Sequence, residues 1–259
     1  MNMTIFLGLL IPFIGTSAGA VCVFFVKNEL NALVQKSLLG FAGGVMVAAS
    51  VWSLLIPAMD MSAHMDRLAF APAAVGFLLG IGFLLFLDRA IPHMHIGGAG
   101  AEGPKSALRK STMLIMAVTI HNIPEGISSG AVFAGIMTGN ADVTLAGAFA
   151  LSIGIAIQNI PEGFIVSLPV RSERGRGEAC LLGVMSGIVE PIAGAVTVFL
   201  AAYITPALPY LLAFAAGAMI YVVVEELVPE SAEGEHSNIG TIGFAVGFVL
   251  MMILDVALG

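Results

Sequence analysis

The chain has 259 residues, 58% of them apolar and only 10% charged, with 31 glycines and a formal net charge of −7. A soluble domain carries about 25% charged residues, so this chain has too few charges to cover a folded surface in water, and it is too short to bury so much apolar side chain in a soluble core. The same figures exclude disorder, and the acidic balance excludes the basic footprint of a nucleic-acid binder. What remains is an all-α integral membrane protein in contact with the lipid bilayer, with glycines that let helices approach closely.

A transmembrane helix needs about 20 apolar residues. Eight runs qualify, at about 3–26, 37–59, 70–91, 112–137, 143–169, 179–203, 208–229 and 239–258. They are continuous rather than alternating, which excludes a β-barrel. The start, MNMTIFLGLLIPF, lacks a basic segment and reads as a retained first span rather than a cleaved signal peptide. Cys22 in the first run and Cys180 in the sixth lack the paired spacing of a zinc site and read as small buried apolar residues. The second run contains Met46, in GFAGGVMVAAS. By itself this methionine reads as packing, although a thioether can serve a soft cation.

Asp60, His64 and Asp66 follow the second run, and Asp88, His93 and His95 close the third. Both groups fit ordinary interfacial polarity. The longest connection, 92–111, has loop composition, and the whole of 1–259 reads as one membrane domain. Of the ten Lys and Arg, nine (Lys27, Lys36, Arg89, Lys105, Arg109, Lys110, Arg171, Arg174 and Arg176) flank or occupy the connections on one side, leaving Arg67 on the other. That bias puts the basic connections in the cytoplasm and both termini outside.

The fourth run contains His121-Asn122-Ile123-Pro124-Glu125-Gly126, and the fifth contains Gln158-Asn159-Ile160-Pro161-Glu162-Gly163, 37 residues later. Consecutive spans run antiparallel, so the motif occurs once in each direction. Such an inverted repeat marks transporters whose substrate sites lie near the midplane. Spacings of four residues put His121 beside Glu125 and Gln158 beside Glu162; spacings of three put Asn122 and Asn159 beside the same glutamates, so each Glu can join two neighbouring clusters, one with the His or Gln and one with the Asn. Pro124 and Pro161 cannot donate to the carbonyls of Ile120 and Ile157, so kinks with freed carbonyls are expected. One imidazole, two carboxylates and three amide oxygens form a mixed set for a divalent cation. A proton relay through the same carboxylates is a competing reading.

Glu190, followed by Pro191, places a third carboxylate inside the sixth run. The seventh ends in Glu225-Glu226-Leu227-Val228-Pro229-Glu230, either solvated at the boundary or a relay toward the cytoplasm, and Asp255 near the end of the eighth fits exposure at the outer surface. Gly126-Ile127-Ser128-Ser129-Gly130 matches a hydrolase elbow but falls inside a span. There is no H-E-x-x-H and no P-loop. The residues thus leave open a divalent-metal transporter, a proton-coupled transporter of an organic solute and, with least support, an intramembrane metal-dependent hydrolase.

The segments HNIPEG at 121–126, QNIPEG at 158–163, SGIVEP at 186–191 and EELVPES at 225–231 resemble the Zrt/Irt-like protein (ZIP) family of divalent metal transporters, and most of all its small prokaryotic branch. The resemblance spans the chain. It implies eight helices with both termini outside, a plasma or bacterial inner membrane location, a homodimer, no enzymatic activity, and transport into the cytoplasm of zinc, with iron, manganese and cadmium as further cargo. It implies one metal site of Met46, His121, Glu125, Gln158 and Glu162, and a second of Asn122, Glu125, Asn159, Glu162 and Glu190. Glu225 and Glu226 match a cytoplasmic path position; Glu230, Asp255, Asp60 and Asp88 are weaker transfers, and His93 and His95 are what remains of a longer His-rich loop. Many relatives have His where Gln158 stands, and some have Asp where Asn159 stands, which lowers the charge of the second site.

Overall fold

In hydrocarbon a backbone must satisfy its own hydrogen bonds, so apolar runs of this length fold as helices. The computed structural model describes residues 3–26, 30–94, 101–140, 142–201 and 205–258. Its α-helices are α1 (Met3–Val21), α2 (Ala32–Ala49), α3 (Ile56–Met61), α4 (Phe70–Ala90), α5 (Lys110–Met137), α6 (Leu145–Arg174), α7 (Arg176–Gly187), α8 (Val189–Ala201), α9 (Leu208–Val222), α10 (Val228–Ala232) and α11 (Ile239–Leu258). Among the described residues, extended pairing is confined to an isolated bridge between His93 and Glu102. Asn31 caps α2 through Leu33 N–H, and Thr144 caps α6 through Gly147 N–H. Lys27 and His95 lie outside the described residues.

Among the described residues, seven helical stretches are long and apolar enough to cross a membrane: Met3–Phe24, Ala32–Met61, Phe70–Ala90, Leu145–Arg174, Arg176–Ala201, Leu208–Ala232 and Ile239–Leu258. The expected fourth span is α5, which does not reach this composition. Its 28 residues measure about 42 Å, ample for a bilayer, but His121, Asn122 and Glu125 dilute its apolar character. These polar residues keep the helix below the hydropathy of the seven stretches above.

Two features of the helices were not expected. α5 and α6 continue through Pro124 and Pro161 as unbroken helices. The irregularity falls elsewhere, in π-helical turns at Ser50–Leu55 and Val223–Leu227. Each leads into a short helix with proline at its second position, Pro57 in α3 and Pro229 in α10. Proline withholds its own N–H from the helical ladder, and the wider π turn accommodates the break.

The helices pack in four extensive pairs: α1 along α6, α5 along α8, α2 along α11 and α4 along α9. At one end of the bundle the Arg171 guanidinium donates to the Val26 carbonyl at 2.5 Å, that of Arg174 to the hydroxyls of Ser111 and Thr112 at 2.7 and 2.5 Å, and the Lys36 ammonium to the Glu235 carbonyl at 2.7 Å. These bonds gather the basic connections at that end. At the other end a cavity of about 280 Å³ is lined by Trp52, Ser53, Asp60, Asp142, Thr144 and Asp255, among others.

Candidate metal centre

The two motifs meet in the interior. His121, Asn122, Glu125, Gln158, Asn159, Glu190 and Glu226 are all buried. Gln158 Nε2 donates to Glu125 Oε1 at 2.8 Å, joining the second motif to the first. Asn159 Nδ2 donates to Thr16 Oγ1 at 3.1 Å, and Thr16 in turn donates to Glu190 Oε1 at 2.5 Å. Asn122 Nδ2 donates to the Ser186 carbonyl at 3.1 Å. His121 Nδ1 lies 2.6 Å from Glu226 Oε2. Glu162 stands in the electrostatic field of Glu125, Glu226 and Glu190. Four carboxylates thus share one buried region.

The glycine that closes each motif sets how closely the helices approach. A Cβ on Gly126 would lie 2.3 Å from the Glu190 carbonyl oxygen, and one on Gly163 2.4 Å from that of Thr16. Neither backbone oxygen can yield, so only glycine fits. Gly126 holds α5 against the helix bearing Glu190, and Gly163 holds α6 against the helix bearing Thr16.

These bonds leave a set of oxygens over. Asn122 Oδ1, Glu125 Oε2, Gln158 Oε1, Asn159 Oδ1, Glu162 Oε1 and Glu190 Oε2 are buried without a hydrogen-bond partner. Every amide and carboxylate of the two motifs, together with Glu190, contributes one. A carboxylate oxygen accepts and cannot donate while ionised, so these atoms cannot satisfy one another. They require a donor or a cation. Yet among the described residues no three His, Cys, Asp or Glu side chains are grouped tightly enough to hold a metal as they stand. Three of the six spare oxygens are amide oxygens, and Glu125 and Glu190 are each turned partly toward a neighbour.

The ZIP zinc transporter family model matches residues 98–255. Zinc transporter ZIP11 of Homo sapiens is 36% identical, over 94% of this chain and 94% of its own length. Zinc transporter ZIPB of Bordetella bronchiseptica is 37% identical over 95% of this chain and 79% of its own, and zinc transporter ZupT of Chlorobaculum parvum 30% over 95% and 93%. The chain belongs to the ZIP family. It is therefore a multi-pass membrane protein of a transporter family, not an enzyme.

The remaining expected positions of this ZIP-family chain separate into three places. His121, Glu162, Glu226 and Glu230 line a small cavity of about 20 Å³, room for about one water. Glu225, adjacent to Glu226 in sequence, instead lines a larger cavity of about 520 Å³ with Asp88, Arg89 and Glu102. There the Tyr221 hydroxyl donates to Asp88 Oδ2, and His93 Nε2 lies 3.6 Å from Asp88 Oδ1. Expected as one relay, Glu225 and Glu226 face different spaces. Asp60 and Asp255 line the cavity at the opposite end of the bundle. Asp255, expected at an exposed surface, is half-buried and accepts from Ser53 Oγ at 2.6 Å. Met46 is fully buried in the main apolar cluster.

Thr16 and Ser186 escaped the sequence reading. A lone Thr in an apolar run looks like a helix residue bonding its own backbone. The signal was its setting, Gly15-Thr16-Ser17-Ala18-Gly19, where flanking glycines announce a close neighbour.

Proposed function

We propose that this chain carries divalent cations across the membrane, zinc foremost, with iron, manganese and cadmium as further cargo, toward the face that bears the basic connections. The observation that carries the reading is the set of six buried, unpartnered oxygens on α5, α6 and α8. A dication between them would satisfy these acceptors, and two or more carboxylates would offset its charge. His121, Glu125, Gln158 and Glu162, with Met46 from α2, would hold one ion; Asn122, Glu125, Asn159, Glu162 and Glu190 would hold a second. Gln158 donates to one oxygen of Glu125 and Thr16 to one oxygen of Glu190, which leaves each carboxylate a second oxygen for an ion. The path would run from the cavity of Asp60 and Asp255 through this centre to Glu226 and Glu230, with Asp88, His93 and Glu225 beside it. His95 belongs to the same proposal by sequence alone.

The zinc transporters to which the chain is similar support the cargo. The pairing of helices supports an inverted repeat: exchanging α1 with the α7–α8 pair, α5 with α6, α2 with α9 and α4 with α11 maps the four packed pairs onto one another. In this reading α5 also spans the membrane and brings the spans to eight, 1–259 is one domain, the basic end is cytoplasmic and both termini lie outside. The homodimer implied by the resemblance is part of the same proposal. Zinc uptake into proteoliposomes tests it: uptake by the wild type should be lost in Glu125→Ala, and equal uptake by both would remove the central site from the account.

A further inference from the structure

A hydroxyl inside an apolar helix ordinarily donates to a carbonyl one turn back. Ser62, Thr119 and Ser167 do so here, to Ala58, Ile115 and Gly163. Ser50, Ser129 and Ser152 do not. Their residues are 0%, 1% and 0% exposed, yet their hydroxyl oxygens have no hydrogen-bond partner. A buried hydroxyl without a partner is costly; this chain bears that cost at these three places, and also at the hydroxyl of Ser17 on α1.

The three places are ordered. Along α2 and its π continuation the sequence runs Met46, Ser50, Ser53; along α5 it runs Glu125, Ser129, Val132; along α6, read backwards, Gln158, Ser152, Gly147. In each helix the first residue belongs to the proposed centre or adjoins it, and the last lines the cavity of Asp60, Asp142 and Asp255. Ser50 is four residues from Met46 and Ser129 four from Glu125, while Ser152 is seven from Asn159; each therefore shares a helical face with a residue of the centre. A rise of 1.5 Å per residue puts Ser50 and Ser129 about 6 Å, and Ser152 about 9 Å, along the helix from Met46, Glu125 and Gln158 respectively. The π turn that opens with Ser50 packs against both α5 and α6. Leu54, Leu151 and Ile155, fully buried, belong to the surrounding apolar cluster.

We propose that Ser50, Ser129 and Ser152 are intermediate ligands for the cation, passing it from the acidic cavity through the apolar layer to the central carboxylates. This inference rests on the transport reading above and adds the route to the centre. The chemistry suits a way station. A dication shedding water in an apolar layer needs oxygen lone pairs, and hydroxyls supply them without fixed charge. Conduction requires a site favourable enough to enter and weak enough to leave; three carboxylates there would trap the ion, and three alanines would leave it bare.

The test compares wild type, Ser50→Ala, Ser129→Ala, Ser152→Ala, the triple variant, Ser129→Cys and Glu125→Ala. Readouts are initial zinc and cadmium uptake into proteoliposomes, equilibrium zinc binding by calorimetry, and thermal unfolding. The triple variant should take up zinc about tenfold more slowly, the equivalent of ~1.4 kcal/mol. Its equilibrium binding should stay within about twofold and its Tm should be unchanged or higher, because a buried unsatisfied group has been removed. Ser129→Cys should raise the ratio of cadmium to zinc uptake, since a thiolate favours the softer ion. Unchanged uptake in the alanine variants, with Glu125→Ala inactive, would overturn the way station and leave the central site standing. Uptake lost in step with Tm would also overturn it, by making the hydroxyls structural. Glu125→Ala active as wild type would overturn the transport reading on which the proposal rests. Should the triple variant not express, the single variants are judged by the same criteria.

Discussion

At the scale of single residues, the centre is defined by what its side chains leave undone. Glu125 gives one oxygen to Gln158 and keeps the other without a partner; Glu190 does the same with Thr16. Replacing Thr16 by Val removes the bond to Glu190 and the acceptor of Asn159 together. The expected cost is about 1–3 kcal/mol, read as a lower midpoint in chemical or thermal unfolding, with zinc uptake impaired through a misplaced Glu190. Gln158 offers a neutral amide where many ZIP relatives place an imidazole. Gln158→His should tighten zinc binding by about tenfold, or ~1.4 kcal/mol, in a calorimetric titration. It should slow release as well, so uptake need not rise with affinity. Protons compete with metal for imidazole and carboxylate, and bound metal displaces them. Uptake should therefore weaken as the external pH falls from about 7.5 to 5.5, and calorimetry in buffers of different ionisation enthalpy should register proton release on zinc binding.

At the scale of helices, the motif residues are fixed by close backbone approach. Gly126 seats α5 on α8, and Gly163 seats α6 on α1. Gly126→Ala and Gly163→Ala each force a methyl into a backbone oxygen, and overpacking of this kind costs about 1–3 kcal/mol. Both variants should unfold earlier and lose uptake even though no ligand is changed. Much of this level was legible in the sequence. Two copies of N-I-P-E-G in antiparallel runs announce paired acids in the interior, and Glu190-Pro191 announces a third, because charge inside a membrane helix is costly enough to need a purpose. The π turns were not legible. Adjacent Glu225 and Glu226 read as one acidic step, but neighbouring residues on a helix point about 100° apart, and these two line different spaces. Thr16 was missed because its partners, Asn159 and Glu190, are 143 and 174 residues away: the flanking glycines announce a close neighbour but do not say which one. The run expected as the fourth span is a helix, α5, although it is too polar to qualify as membrane-spanning on hydropathy.

At the scale of the whole molecule, one end collects basic groups and the other opens an acidic cavity, with the paired acids between them. If the basic end is cytoplasmic, a membrane-impermeant maleimide added to intact cells should label His64→Cys but not Ser106→Cys, in a background where Cys22 and Cys180 are replaced by serine. The contact of His121 with Glu226 joins α5 to the π turn after α9, so it ties together helices from different packed pairs. An ion that draws His121 away from Glu226 would loosen that tie, which couples binding to opening of the path toward Glu230. All of this depends on a dication seating itself among the unpartnered oxygens of the two motifs. Anomalous diffraction at the zinc edge, from crystals of the wild type and of Glu125→Ala soaked in zinc, tests that most directly. The account predicts a wild-type peak at about 2.0–2.2 Å from carboxylate oxygens of Glu125 and Glu162, absent or displaced in the variant. A wild-type map with no peak between α5 and α6, despite zinc bound elsewhere in the same crystal, would contradict it.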